Sequence, residues 1–149
     1  STPKPSSAAS DVYKRQFNIL TKILLGNLFL EKDEIVLVDT DAGIEHAGRK
    51  LEEACDGLIA IVDPTVESLE LARLLKNIAS NLNKKFWVIA NKVTGETEKL
   101  LREEADRLGL RIDGAVRFDE QLYISCLKRE PLKSDLAITD LKEILKSIL

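Results

Sequence analysis

Histidine and paired cysteines, which build most transition-metal sites, are scarce in this chain of 149 residues. His46 is its single histidine, which argues against a histidine metal cluster and against a histidine-based catalytic triad. The two cysteines, Cys55 and Cys126, lie far apart in the sequence and form no Cys-x-x-Cys pair. We therefore expect buried or free thiols in a reducing cytoplasm, and no transition-metal site of the chain's own.

Excess positive charge and long apolar runs are missing as well. The formal net charge is −3, whereas a broad nucleic-acid surface needs clustered positive charge. No apolar run reaches the roughly 20 residues of a membrane-spanning helix. With 44% hydrophobic and 32% charged residues, the composition is typical of a soluble globular protein with one domain, and we expect a cytoplasmic location.

The first 16 residues differ from the rest of the chain. They read STPKPSSAASDVYKRQ, are rich in serine, proline and alanine, and have no apolar period. They also lack the apolar core of a signal peptide, so we interpret residues 1–16 as a disordered or non-native leader. The folded part is expected to be residues 17–149.

Strand-like and helix-like apolar patterns alternate from residue 17 onward. Short apolar runs predict strands at 35–38, 58–62, 86–90 and 114–118. Longer amphipathic stretches predict helices at 17–31, 47–55, 66–82, 96–108 and 138–149. This alternation predicts an α/β fold with a mainly parallel sheet, in which ligands bind beyond the carboxyl ends of the strands.

The loop after the first predicted strand offers two interpretations. Its residues 39–43 read Asp-Thr-Asp-Ala-Gly, and Gly43 and Gly48 have the glycine spacing of a phosphate-binding loop. Arg49 and Lys50 follow, where such a loop has Lys and then Ser or Thr, so this loop is not a phosphate cradle. An aspartate at the tip of a buried strand is instead typical of a Walker B motif, which orients Mg²⁺-bound water. Asp39 is either that residue or the cap of the next helix.

The loops after the later strands carry polar residues too. Asp63-Pro64-Thr65 is explained by structure alone, with Pro64 ending a strand and Thr65 capping a helix. Asn91 and Lys92 suit a purine, because an asparagine can hydrogen-bond its edge and an aliphatic lysine stem can cover its face. Asp119 is again a candidate helix cap.

Taken in order, VDTDAGIEHAGR, DGLIAIVDPT, VIANKV and VRFDE resemble the MinD/ParA-like branch of P-loop ATPases. Within that branch the sequence most resembles the CooC family, whose members are the maturation ATPases of carbon monoxide dehydrogenase. The likeness rests on an Ala-Gly-Ile-Glu-His-x-Gly-Arg run after a strand-end aspartate, here Asp39 followed by residues 42–49. The resemblance implies a three-layer, doubly wound P-loop fold.

The resemblance also implies a function, and roles for individual residues. The whole protein would be an ATP-dependent homodimer that uses ATP and Mg²⁺ to insert nickel into a client such as carbon monoxide dehydrogenase. Asp39 would bind Mg²⁺ through water, while Asp41 and Gly43 would belong to the switch that senses the γ-phosphate. The adenine would lie near three later residues: Asn91, Lys92 and Asp119.

Two motifs of that family are absent from this sequence. One is the deviant Walker A loop, Lys-Gly-Gly-x-Gly-Lys followed by Ser or Thr, and the other is the Cys-x-Cys metal motif. We therefore expect residues 17–149 to be the C-terminal portion of such a domain, truncated at its N-terminus and inactive alone as an ATPase. The alternatives are a fragment of a MinD/ParA-like cell-division or partitioning ATPase, and a phosphoacceptor receiver domain.

Overall fold

The computed structural model describes residues 23–24, 26–32, 34–40 and 52–148, which fall in two compact units. The first unit, Ser1–Asp56, contains a short 3-10 helix at Glu52–Ala54. In the helix predicted at 17–31, residues 23, 24 and 26 are helical and residues 27–31 are not, while residues 17–22 and 25 lie outside the described residues. In the helix predicted at 47–55, residues 47–51 lie outside the described residues and the rest contains only the 3-10 helix. A turn closes where the backbone N–H of Glu34 donates to the carbonyl of Glu31 (3.1 Å).

The strand predicted at 35–38 is wrong, because residues 34–40 contain no strand. Ile35 and Leu37 are 58% and 78% exposed. An apolar run becomes a strand only where a neighbouring strand takes up its backbone hydrogen bonds, and a run of four residues carries no information about that neighbour.

The second unit, Gly57–Leu149, alternates strands and helices. Its elements are β1 (Gly57–Val62), α1 (Val66–Asn81), β2 (Lys85–Val93), α2 (Gly95–Arg107), β3 (Gly114–Arg117), α3 (Glu120–Lys128) and α4 (Asp135–Ile148). The strands form one parallel sheet in the order β1-β2-β3. The predicted α/β class with a parallel sheet flanked by helices is confirmed.

Helices α1 and α2 cover one face of this sheet. Alternate residues of β1 and β2 point to that face and form the core with four residues of the two helices. These buried residues include Ala60, Val62, Val88, Ala90, Leu69, Ala72, Leu101 and Ala105.

Helix α4 packs against the opposite face. Gly114 in β3 pairs with Ile89, which alternates with the core residues Val88 and Ala90 and so points away from them. A Cβ atom on Gly114 would lie 2.5 Å from Cγ1 of Ile144 in α4, which is closer than real Cβ contacts allow. The glycine therefore lets the helix approach the sheet.

Local signals at the helix ends agree with the sequence. Thr65 caps α1 by accepting a hydrogen bond from the backbone N–H of Ser68 (3.2 Å). Gly109, predicted to end the second helix, has a positive φ of 69° just after α2. Helix α3 was not predicted as an element, although its cap, Asp119, was recognised.

Candidate functional site

Polar side chains gather where the three parallel strands end. Asp63 follows β1, Asn91 and Lys92 lie near the end of β2, and Asp119 comes two residues after β3. The backbone N–H of Phe118 donates to the carbonyl of Val93 (2.8 Å), which holds the last two of these loops side by side. This is the edge at which α/β sheets bind ligands.

Asp63 joins the two β2 residues. Its Oδ1 accepts a hydrogen bond from Nδ2 of Asn91 (3.3 Å), and its Oδ2 lies 3.0 Å from Nζ of Lys92. All three side chains retain contact with solvent. The cluster can therefore meet a ligand from solution while its members hold one another in place.

A β-bulge makes this convergence possible. Neighbouring residues of a regular strand point to opposite faces, so in such a strand the side chains of Asn91 and Lys92 would leave the backbone in opposite directions. The register between β2 and β3 shifts between Ala90 and Val93, and Lys92 has a positive φ of 55°. Bulges often re-aim side chains beside functional sites, and here one turns two neighbours towards Asp63.

Asp119 has a structural task at the same edge. Its Oδ1 accepts hydrogen bonds from the backbone N–H groups of Gln121 (2.8 Å) and Leu122 (3.2 Å), which confirms the capping interpretation. Its Oδ2 accepts a hydrogen bond from the Ser134 hydroxyl, whose oxygen in turn accepts one from the N–H of Ala137 in α4. The Ser134 hydroxyl, followed by the two backbone N–H groups, lowers the pKa of Asp119. Asp119 thus links the starts of α3 and α4.

The predicted Walker B segment belongs to the other unit. Asp39 is exposed at the end of the irregular stretch 34–40. Asp41 and Gly43 lie outside the described residues, as do Glu45 and His46. Their roles stay predictions.

The described part of the chain contains neither a candidate metal cluster nor a candidate membrane-spanning helix. Across residues 23–40 and 52–148, gaps excepted, no group of three or more His, Cys, Asp or Glu side chains could hold a metal ion. Within the same residues, no helix combines the length and hydrophobicity needed to cross a bilayer.

Comparison with known proteins gives a consistent set of relatives. The uncharacterized ATP-binding protein MJ0084 of Methanocaldococcus jannaschii is 39% identical over 127 residues, which cover 85% of this chain and 50% of that protein. A second ATP-binding protein of that organism, MJ0823, is 38% identical over 120 residues, covering 79% and 47%. The carbon monoxide dehydrogenase accessory protein CooC of Rhodospirillum rubrum is 32% identical over 124 residues, covering 79% and 47%.

This chain is related to the CooC-like ATP-binding proteins. The resemblance drawn from the sequence is confirmed at that level. No protein-family model matches the chain. The chain spans about half the length of the curated relatives it matches.

Of the residues in this polar cluster, sequence reasoning missed Asp63. Asp63-Pro64-Thr65 was interpreted as a strand end and a helix cap, and the Thr65 cap is present. The signal that was available is position, because Asp63 follows a buried strand just as Asn91 follows the core of the next one. A strand-end aspartate beside a strand-end Asn-Lys pair favours contact between them, since parallel strands end at one edge.

Proposed function

We propose that this protein, as its gene encodes it, binds ATP with Mg²⁺ and hydrolyses it, and that the edge of the sheet described above is the base end of the nucleotide site. The observation that carries the proposal is the 32–39% identity to proteins named for ATP binding and to CooC. The position of the polar cluster supports it, because ligands of parallel α/β sheets bind at the carboxyl ends of the strands.

One group of residues would bind the base of the nucleotide, and another would bind its metal ion and sense its γ-phosphate. The Asn91 amide would hydrogen-bond the adenine edge and the Lys92 stem would cover its face, while Asp119 would fix the adjoining loop. Asp39 would orient Mg²⁺-bound water, and its exposed carboxylate offers the hard oxygen ligand that Mg²⁺ prefers. Asp41 and Gly43 would form the switch beside the γ-phosphate.

The finer proposal is a cytoplasmic accessory role in nickel insertion, performed by a homodimer on a client such as carbon monoxide dehydrogenase. The name of one relative, the carbon monoxide dehydrogenase accessory protein CooC, supports it. The sequence itself contains no Cys-x-Cys motif, so nickel would be bound by residues outside this sequence. In this scheme nickel is cargo and ATP the energy source.

The test of ATP hydrolysis uses the protein as its gene encodes it. We expect micromolar binding of Mg²⁺-ATP by titration calorimetry, and Asp39→Asn should lower turnover roughly 10²-fold or more with an unchanged melting temperature. Asp106→Asn, which neutralises an exposed aspartate on α2, is the matched control and should turn over ATP normally. Normal turnover by Asp39→Asn would show that Asp39 is no more than a cap.

The nickel role has its own measurement. The same protein should withdraw Ni²⁺ from a chromophoric chelator, with an affinity that differs between the ATP and ADP states, and should raise the activity of nickel-free carbon monoxide dehydrogenase. ATP hydrolysis without nickel binding, together with ATP-dependent binding to anionic vesicles, would favour the MinD/ParA-like alternative instead.

A further inference from the structure

We propose that Asp63 determines which purine the site accepts, by fixing the orientation of the Asn91 side-chain amide. The site would then select a base with an amino group at position 6, as in adenine, over one with a carbonyl there, as in hypoxanthine or guanine. The inference rests on the proposed nucleotide site, and assigns to Asp63 the role of a positioning residue.

The first step is the direction of the Asn91 amide. A carboxylate has no hydrogen to donate, so it can only accept, and the group of Asn91 that faces it must be the NH₂. Nδ2 of Asn91 is 3.3 Å from Oδ1 of Asp63. Since the amide is planar, its Oδ1 is directed away from Asp63 and is presented as an acceptor.

The second step is what holds the carboxylate itself. Oδ2 of Asp63 lies 3.0 Å from Nζ of Lys92, so each carboxylate oxygen has its own partner and a quarter turn of the group would break both contacts. The backbone is fixed as well, because the carbonyl of Asp63 accepts a hydrogen bond from the N–H of Thr65 (2.7 Å) at the start of α1. The orientation of Asn91 is thus set by the end of a different strand.

The third step is recognition. An acceptor oxygen at the base edge pairs with the 6-amino group of adenine, whereas the 6-carbonyl of hypoxanthine would place two acceptors face to face. Sites built around a hydrogen bond reject analogues that lack it, because polar groups of the site are left unpaired. For one such bond, we expect about a tenfold preference for ATP over ITP.

The experiment measures competition by ATP and by ITP against a fluorescent ATP analogue, on the protein as its gene encodes it. ITP is the suitable probe since its base differs from adenine along one edge only, where it has a carbonyl at position 6 and a hydrogen on N1. Wild type should prefer ATP about tenfold, and Asp63→Ala should reduce that preference to about threefold or less, because the freed amide can turn to meet either base. Glu70→Ala removes a comparable exposed ion pair, with Arg73 on α1 (2.8 Å), and should keep the wild-type ratio.

Asp63→Asn is a second variant that tests the same role if Asp63→Ala does not fold. It keeps the size of the side chain but can face Asn91 with either an NH₂ or an oxygen, so it too should reduce the ATP/ITP ratio. A wild-type ratio in both Asp63 variants, with the ratio lost in Asn91→Ala, would overturn the role of Asp63 and leave the nucleotide site standing. A ratio that is also unchanged in Asn91→Ala, or no nucleotide binding by the wild type, would overturn the base-end assignment together with this inference.

Discussion

The carboxylate of Asp140 joins α4 to the end of β3, and its removal should destabilise the fold measurably. The side chain is 6% exposed, and Arg117 supplies all its hydrogen-bond donors found in the described part of the chain. The backbone N–H of Arg117 donates to Oδ2 (2.9 Å), and Nη2 of its guanidinium donates to Oδ1 (2.6 Å).

The magnitude follows from what each donor loses. In Asp140→Ala a partly buried backbone N–H is left without an acceptor, which costs about 1–3 kcal/mol. The guanidinium is half exposed and can return to water, so its share is small. We expect a loss of about 2 kcal/mol for Asp140→Ala, and about half of that for Asp140→Asn, which keeps one acceptor oxygen.

The assay is urea unfolding at pH 7, followed by circular dichroism. Glu70→Ala is the control, because it breaks an ion pair in which both side chains are more than 40% exposed and should cost less than about 0.5 kcal/mol. A difference below about 0.5 kcal/mol between wild type and Asp140→Ala would refute the reasoning, since it would mean that water replaces the carboxylate without loss.

The pH dependence gives a second check on Asp140. The hydrogen bonds from the Arg117 side chain, against the opposing effect of burial, lower the pKa of Asp140 in the folded protein. A lowered folded-state pKa means that this stabilisation is fully present above the ordinary aspartate pKa of about 3.9 and is lost as the pH falls through the folded value. The stability gap between wild type and Asp140→Asn should therefore be constant from about pH 5 to 8 and narrow below about pH 4. A gap that narrows as the pH rises would contradict this cause.

Two further substitutions test the packing on the two faces of the sheet. Leu69 is a core residue, 1% exposed, and Leu69→Ala should lower the free energy of unfolding by about 2–5 kcal/mol. Leu100 is 58% exposed, so Leu100→Ala should cost under about 1 kcal/mol. Equal urea midpoints for the two variants would place Leu69 outside the core. Gly114→Ala should lower the free energy of unfolding by about 1–3 kcal/mol, because its Cβ would meet Ile144. The same substitution made in an Ile144→Ala variant should cost much less, and urea unfolding of the four proteins measures both costs. A full cost in that variant would show that the strain arises elsewhere.

Elements whose signal is local could be predicted from the sequence. The period of α1 and the Thr65 cap lie within a few residues of each other, so their agreement located that helix to within one residue. Helix α3 has no buried residue, and its apolar positions therefore gave no clear period. The strand prediction at 35–38 was wrong for the opposite reason, because the apolar run is clear but does not show whether a neighbouring strand pairs with it.

In the candidate site, too, the residues marked by a local pattern were predicted and the residue defined by distant contacts was not. Asn91 and Lys92 were predicted because both follow the apolar core of one strand. Asp63 was missed as a partner of these two residues because its contacts with them cross 28 and 29 positions in the sequence. The end of β2 was predicted three residues early for a related reason, since the strand continues through a bulge to Val93.

The bulge itself can be tested through the backbone of Lys92, whose φ of 55° is unfavourable for any residue with a Cβ atom. Lys92→Ala and Lys92→Gly both remove the exposed ion pair with Asp63, so the difference between them reports the backbone alone. Glycine should be the more stable of the two by about 1 kcal/mol, because it adopts positive φ without strain.

The matched control is Lys85, an exposed residue at the start of the same strand that is not among the positive-φ residues. There the order should reverse, with Lys85→Gly less stable than Lys85→Ala by about 0.5–1 kcal/mol, since glycine in a strand loses more conformational entropy on folding. If alanine is the more stable variant at position 92 as well as at position 85, Lys92 is not held in a left-handed conformation in solution. Without that conformation the side chains of Asn91 and Lys92 would leave the strand in opposite directions, and the geometric basis of the candidate site would be lost.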